Sequence, residues 1–586
     1  MSFQRVCRLG AVVVLIVLWS ACGQVYRPVV LPCSLGGLPN CPVELPPSPT
    51  AFHAVYGISL NVPNYPGNAM QIDVGGDSII GETPSSDPSA PNIGDNPTNA
   101  AILPNFAAVY VASAASGVPG GIDQISSFTP AADSPTGTGL GPVSNIQMPT
   151  GSLPVFLNTT QNGFIYVANF GTNSISTINT SLNAVINTGT VGTNPVALAE
   201  IPDALKIYVA NQGSNTISDV NPADLSSTLV PGFSGMTPVW IVARSDSQKV
   251  YVLTQGDGQL VTIDTATDAV TSSLPVGAGA NYMFYDPNLN RLYVTNPVTG
   301  NLYVFSDSGG ANDTPALLKS IAFTAASAPC SAGCSPSSVT ALADGSRFYV
   351  ASYQTATACP DPLAGTTAAC VIPTLAVFNA LDFTLKTTLT LLTDPPFSAN
   401  PTSSQYQYAV PALSTCAPAV PPATYSPSTV RFRVFTAASS DSSRVYVSMC
   451  DAGAIAVINT LDNNANNPTN NSTPADTVIT DLPAAFGVCT LANCNGVASI
   501  TSFSITSNVV TFKAANSFTQ GEKVVVSGLT TGTYLNGEIL TVLPTGLSNS
   551  QFECYFAHAN VASTSESGAA TVEPPSQSPI FLLPGQ

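Results

Sequence analysis

Charge is scarce in this chain. Only 8% of its 586 residues are Asp, Glu, Lys or Arg, and only two are histidine, His53 and His558, which stand near opposite ends. So little imidazole removes the commonest metal ligand and proton shuttle from most of the sequence. The cysteines form no CxxC doublet of the zinc-ribbon kind and no CxxCH for covalent haem attachment. No cofactor or metal is therefore expected. Basic residues are fewest of all: 15 Lys and Arg against 33 Asp and Glu give a net charge of -18. That balance repels phosphate backbones and excludes a nucleic-acid partner. It leaves recognition to hydroxyl, amide and aromatic groups, which suit sugars or peptides better than phosphates. Beyond the N-terminus no apolar run approaches the roughly 20 residues needed to span a bilayer.

The sequence is rich in turn formers, with 44 Gly and 50 Pro. A chain of 586 residues exceeds what one small core can use, so several domains or a repeat architecture are required. The repeat is legible. Tyr166, Tyr208, Tyr251 and Tyr293 sit in the strings IYVAN, IYVAN, VYVLT and LYVTN, spaced 42, 43 and 42 residues apart. Further copies lie at Tyr110, Tyr349 and Tyr446, with a degenerate one at Tyr56. In five copies a proline (Pro97, Pro154, Pro195, Pro238, Pro336) stands 12 or 13 residues upstream, where it would open an inner strand. A second apolar strand ends 13 residues downstream at Asn179, Asn221, Asp264 or Asn459, residues suited to turns.

A unit of about 42 residues is the period of a four-stranded propeller blade. LYVTN at Leu292 to Asn296 and IYVANFGTNSISTINT at Ile165 to Thr180 resemble the consensus of YVTN-repeat β-propellers, over roughly residues 52 to 485. The expected fold is all-β: a propeller of four-stranded blades, eight favoured over seven, in residues 51–489. Residues 490–575, with alternating strands such as ITSFSITSNVVTFKAA, predict a small inserted β-barrel-like module. The first blade lacks a proline-led inner strand, and Ser578 to Leu583 resemble the strand starting at Leu153. Residues 576–586 are thus expected to close the ring beside Tyr56.

Arg5, Arg8 and the apolar run Leu9 to Leu18 resemble a secretory signal, and Leu18 to Cys22 resemble the lipobox of bacterial lipoproteins. The resemblance implies a signal peptide over 1–22, lipidation of Cys22 and a Pro/Gly-rich tether over 23–50. Gly23 in place of Asp favours the outer membrane. Export makes disulfides the natural reading of the close pairs: Cys33 with Cys41, Cys330 with Cys334, Cys359 with Cys370, and Cys489 with Cys494. Cys416 with Cys450 is the next pair, and Cys554 is left over.

Two irregularities mark candidate binding loops. Thirty residues instead of 13 separate Tyr349 from Asn379, and 395 to 430 is rich in Pro and Ser. The repeated tyrosines are read as packing between blades, not a ligand ring, and the recurring Asn and Asp as turn residues, not a cation site. YVTN propellers also resemble lactonase-like hydrolases in fold. Asp123, Glu200, Asp203, Arg244, Asp246 and Arg291 form only a scatter, and Asp203, Asp246 and Asp344 fall in turns. No catalytic residue is nominated. The expectation is a lipid-anchored binding or scaffold surface for protein or polysaccharide, with a hydrolase in the channel as the alternative.

Overall fold

The computed structural model describes residues 54–585 apart from 61–66, 84–91, 116–120, 131–139, 141–142, 161–162, 362–365, 393–408, 420–423, 462–473, 484–496, 519–522, 573–577 and the single residues 308, 312, 517, 537, 544 and 557. The signal segment, Cys22, the tether and His53 lie outside these residues. Two of the expected disulfides fall outside them as well. Cys33 and Cys41 belong to the tether, and Cys489 and Cys494 belong to the segment 484–496. Neither the Cys33 to Cys41 bond nor the Cys489 to Cys494 bond therefore has a counterpart among the described residues, where the bonded pairs are the other three.

The chain is an all-β propeller. Each repeat forms an antiparallel sheet of four strands, the seventh with a short fifth strand added, and eight such sheets follow one another among the described residues. The third runs Pro154–Thr159, Phe164–Asn169, Ser174–Asn179, Ala184–Thr190. The fourth (Pro195–Glu200 inward) and fifth (Pro238–Ala243 inward) repeat it closely. In all three, and in the second at Pro97, the proline opens the inner strand. Proline is tolerated there because the inner strand is an edge and needs no amide on that side. The residue before each proline, Asn96, Leu153, Asn194 or Thr237, turns at positive φ of 47° to 56°. The expected turn residues also act as such: Asn179 accepts from the amides of Ser181 and Leu182, and Asp264 from those of Ala266 and Thr267.

The inner strands form a ring. Each lies against the inner strand of the next sheet, and Val434–Ala438 of the eighth lies against Ser578–Pro584, which lies against Pro97–Ile102 of the second. Ser578–Pro584 is the inner strand of the first sheet, antiparallel to Ala54–Leu60, with Tyr56 opposite Leu583. The expected closure by the C-terminal strand is thus present. Side chains occupy the free edges: Asn99 Oδ1 accepts from Leu157 N at 3.0 Å, and Ser338 Oγ from Thr436 N at 2.9 Å. Edge amides that would otherwise template aggregation are so satisfied.

Tyr208, Tyr251, Tyr293, Tyr349 and Tyr446 are fully buried between sheets, as packing requires. An ionic latch accompanies several of them. Lys206, Lys249, Arg291, Arg347 and Arg444 each stand two residues before the repeat tyrosine, and four reach an aspartate in the outer turn of the following sheet. Lys249 Nζ lies 2.9 Å from both carboxylate oxygens of Asp307, which also accepts from Tyr251. Arg347 and Tyr349 share Asp476 at 2.6 Å each. Arg444 grips Asp77 of the first sheet at 2.7 and 3.0 Å, sealing the ring a second time. The sequence alone shows no catalytic spacing among its charged residues. This spacing does recur, and it serves blade cohesion.

Between the eighth sheet and the closing strand, Val497–Val572 forms a six-stranded sheet around its own core of Phe503, Phe512, Phe552 and their neighbours. A bridge from Val542 to Cys554 and the bond Leu543 N to Glu553 O, 2.8 Å, join its two edge regions into a barrel-like ring. Cys554 is a buried free thiol, pushed up to about 12 by its apolar surroundings. No α-helix occurs among the described residues, and hence no helix long and apolar enough to cross a membrane.

Candidate functional site

The face where the prolines begin the inner strands carries both sequence irregularities. The insertion after Tyr349, expected as a loop, is instead a β-ribbon: Arg347–Asp361 and Thr366–Asn379 continue pairing far beyond the blade. Extended pairing satisfies the backbone of a long excursion without a second core. Cys359 and Cys370 are bonded across it. The described part of the second irregularity adds a short strand to this ribbon, Val410 opposite Val371, so the two excursions form one unit.

That second segment crosses the channel mouth. Cys416 is bonded to Cys450 of the eighth sheet. Arg433 holds Asp451 at 2.7 and 3.0 Å, donates to the Leu413 carbonyl, and lies 5.6 Å from the Tyr353 ring centre. Pro427 accepts from Asn96 of the second sheet at 2.7 Å, and Tyr425 meets Phe170 edge-on at 6.4 Å. The segment therefore spans from the eighth sheet to the second and third.

Arg431, directly after this segment, enters the ring of inner strands. Nη1 donates to the Val239 carbonyl at 3.2 Å, Nη2 donates to that of Val196, and the guanidinium lies 4.3 Å from the Tyr425 ring, 5.5 Å from Trp240 and 5.8 Å from Phe156. Cation–π contacts of this kind stabilise a desolvated cation. They do not neutralise it. Among the described residues no carboxylate pairs with Arg431, and its buried Nε and the nearby Tyr425 hydroxyl each lack a hydrogen bond of good geometry. Burial lowers the Arg431 pKa from the usual guanidinium value. A cavity of about 250 Å³ opens beside it, lined also by Gln255, Asn281, Ser335, Ser337 and Tyr353.

Aromatic rings fill the channel behind this mouth. Trp240 contacts Phe156, Tyr282 and Phe432 at 5.0 to 5.8 Å, and Phe432, Phe435 and Phe581 continue the cluster at 5.0 and 4.7 Å. On the other face a cavity of about 470 Å³ is lined by Phe156, Trp240, Tyr285 and Glu200. Burial first, and the charge of Asp203 second, push the Glu200 carboxyl up to about 7.

The scattered charges of the sequence have structural work elsewhere. Asp123 accepts the amides of Ala115 and Leu153, joining two sheets. Asp203, Asp246 and Asp344 each cap the turn between an inner strand and a tyrosine strand. Arg244 is held by Asp246 and Asp307, and Arg291 reaches the Ala380 carbonyl. Glu200 and Arg431 line different cavities, with Phe156 and Trp240 beside both, so neither cavity joins an acid to a base. Among the described residues, no three His, Cys, Asp or Glu side chains are grouped to hold a metal ion. Cys330 is bonded to Cys334. Arg431 escaped sequence reading because it belongs to no repeat.

These features define a β-propeller whose channel is capped on one face and packed with aromatic rings. No family model and no curated protein matches the sequence. Among solved structures it is similar to a periplasmic gluconolactonase of Pseudomonas aeruginosa (13% identity, TM-score 0.42, 58% of this chain and 95% of that one). It is also similar to hydrazine synthase of Kuenenia stuttgartiensis (14%, 0.39, 57% and 87%). A third is the Cps50 (Swd1) β-propeller domain of Myceliophteria thermophila (10%, 0.37, 50% and 86%). Likeness at this level carries no inference about activity.

Proposed function

We propose that this chain is an exported, lipid-anchored binding propeller that presents its proline face to a protein or polysaccharide, with all eight sheets as blades of one ring. The supporting observation is the composite cap: ribbon and crossing segment pair with each other, are bonded by Cys359–Cys370 and Cys416–Cys450, and rise from a rigid scaffold. Binding surfaces are commonly built this way. The hydrolase alternative needs an acid and a base converging on one substrate, and the channel separates them. Cys22, as the lipidated residue of the outer-membrane anchor, is part of the same reading, which Cys22→Ser tests by fractionation: the protein should leave the membranes.

Glycan and peptide arrays probed with the full chain in detergent test the binding role. A saturable ligand should appear and be lost when residues 355–369 of the ribbon are replaced by a short turn. A ligand retained by that variant would place recognition elsewhere.

A further inference from the structure

The Arg431 cavity combines features that point to a ligand of definite chemistry. A guanidinium has five N–H donors, of which backbone carbonyls of two inner strands take only two. The guanidinium is largely but not fully withdrawn from solvent and lacks a counterion among the described residues. Buried charges are normally paired, so the natural partner is an anion in the cavity. The neighbouring sheet repeats the signal: Gln212, at the position equivalent to Gln255 one repeat earlier, is nearly buried with neither side-chain amide atom hydrogen-bonded among the described residues.

Three observations narrow the anion. Arg433 is committed to Asp451, so among the described residues the mouth offers a single uncommitted cation, enough for a monoanion and not for a phosphate dianion. The cavity's about 250 Å³ falls below the usual range of drug-sized pockets and takes one ring, not an extended chain. Its lining mixes amide and hydroxyl groups with the rings of Tyr353 and Tyr425, the combination that serves a hydroxylated ring with one apolar face.

We propose that this cavity binds a carboxylate-bearing sugar unit, with Arg431 taking the carboxylate, Tyr425 the ring face, and Gln255 and Asn281 the hydroxyls. The proposal deepens the binding reading above and rests on it for the identity of the polymer, because an acidic polysaccharide would present such a unit to the cap. Binding would supply the missing counterion without displacing the two carbonyl bonds that seat Arg431.

The sequence provides its own reporter. Its two tryptophans are Trp19, in the N-terminal apolar segment, and Trp240, whose ring lies beside Arg431. Fluorescence of the full chain in detergent would be titrated with glucuronate, galacturonate, neutral glucose and inorganic phosphate, and the affinities checked by calorimetry. The expected result is saturable binding of a uronate at least ten-fold tighter than glucose or phosphate. Arg431→Gln, which keeps an amide to donate to the strand carbonyls, should weaken uronate binding at least ten-fold. Equal affinity for glucose, preference for phosphate, or unchanged binding by R431Q would each overturn the proposal. Should R431Q fail to fold, the wild-type comparison of uronate with glucose still decides. Tighter binding of an oligouronide than of its monomer would identify a polymer unit, and equal binding a free sugar acid; both support the site. Array ligands lost with the ribbon while uronates fail to bind would sink this inference alone. Uronate binding without any array ligand would sink the broader reading alone.

Discussion

Removing the closing strand is the sharpest perturbation the fold offers. Deleting Pro579 to Gln586 takes away Ile580 and Leu582, both buried, the ring contact of Phe581 with Phe435 at 4.7 Å, and most of the pairing with Ala54–Leu60. Burial of two large aliphatic side chains is worth about 3 to 6 kcal/mol. An aromatic pair adds about 1 kcal/mol. The sum, about 4 to 7 kcal/mol before any backbone pairing, is comparable to the whole net stability of many domains. At about 2 °C per kcal/mol, the melting temperature should fall by about 10 °C. Circular dichroism melts of the full chain, the truncation and a control lacking only Gly585 and Gln586 would measure it. Leu582→Ala should lie between, costing about 2 to 5 kcal/mol. A truncated chain that melts within a degree or two of the control would refute the reasoning, since ring closure would then contribute nothing.

The latches make a second prediction: Asp307→Ala strands the buried Lys249 ammonium and should cost about 3 to 5 kcal/mol, visible as a lower melting temperature, whereas Asp203→Ala in a surface turn should cost far less. The Cys359–Cys370 bond should appear as one linked peptide in unreduced mapping, and replacing both cysteines by serine should lower stability by about 2 to 3 kcal/mol. Glu200 sets a pH dependence. Its folded pKa of about 7 lies above the unfolded value, so the folded state holds the extra proton and stability falls as pH rises from about 4.5 toward 7. Glu200→Gln should flatten that part of the profile, and an identical slope in wild type and variant would show that Glu200 is not its source.

Much of the architecture is legible because it repeats. Tyrosine strands, leading prolines and Asx turns recur at fixed spacing, and each reports a local backbone requirement that one sequence can display. The closing strand was legible for the same reason, since SPIFLL copies the pattern of LPVFL. The latches were present as a basic residue two places before five tyrosines. Their meaning was hidden because each partner aspartate lies on the following sheet, 58 residues away for Lys249 and 367 for Arg444. The ribbon read as a loop because Pro360, Pro373 and two cysteines interrupt its alternation. Arg431 was invisible for a deeper reason: its setting is assembled by sheets three, four and five around a residue whose two carbonyl partners precede it by 235 and 192 residues. No local pattern encodes such a convergence.

The order of the strands has a consequence for how the molecule is made. Tyr56 waits for Leu583. During synthesis, strand Ala54–Leu60 must remain without its inner neighbour until every later sheet, and then the six-stranded module, has emerged. Contacts of such sequence separation form slowly, and an unclosed ring offers an edge to any passing chain. The module lies between the eighth sheet and the final strand in the chain, so Ser578–Pro584 is the last strand to be synthesised, whereas both partners of the Arg444–Asp77 latch precede it.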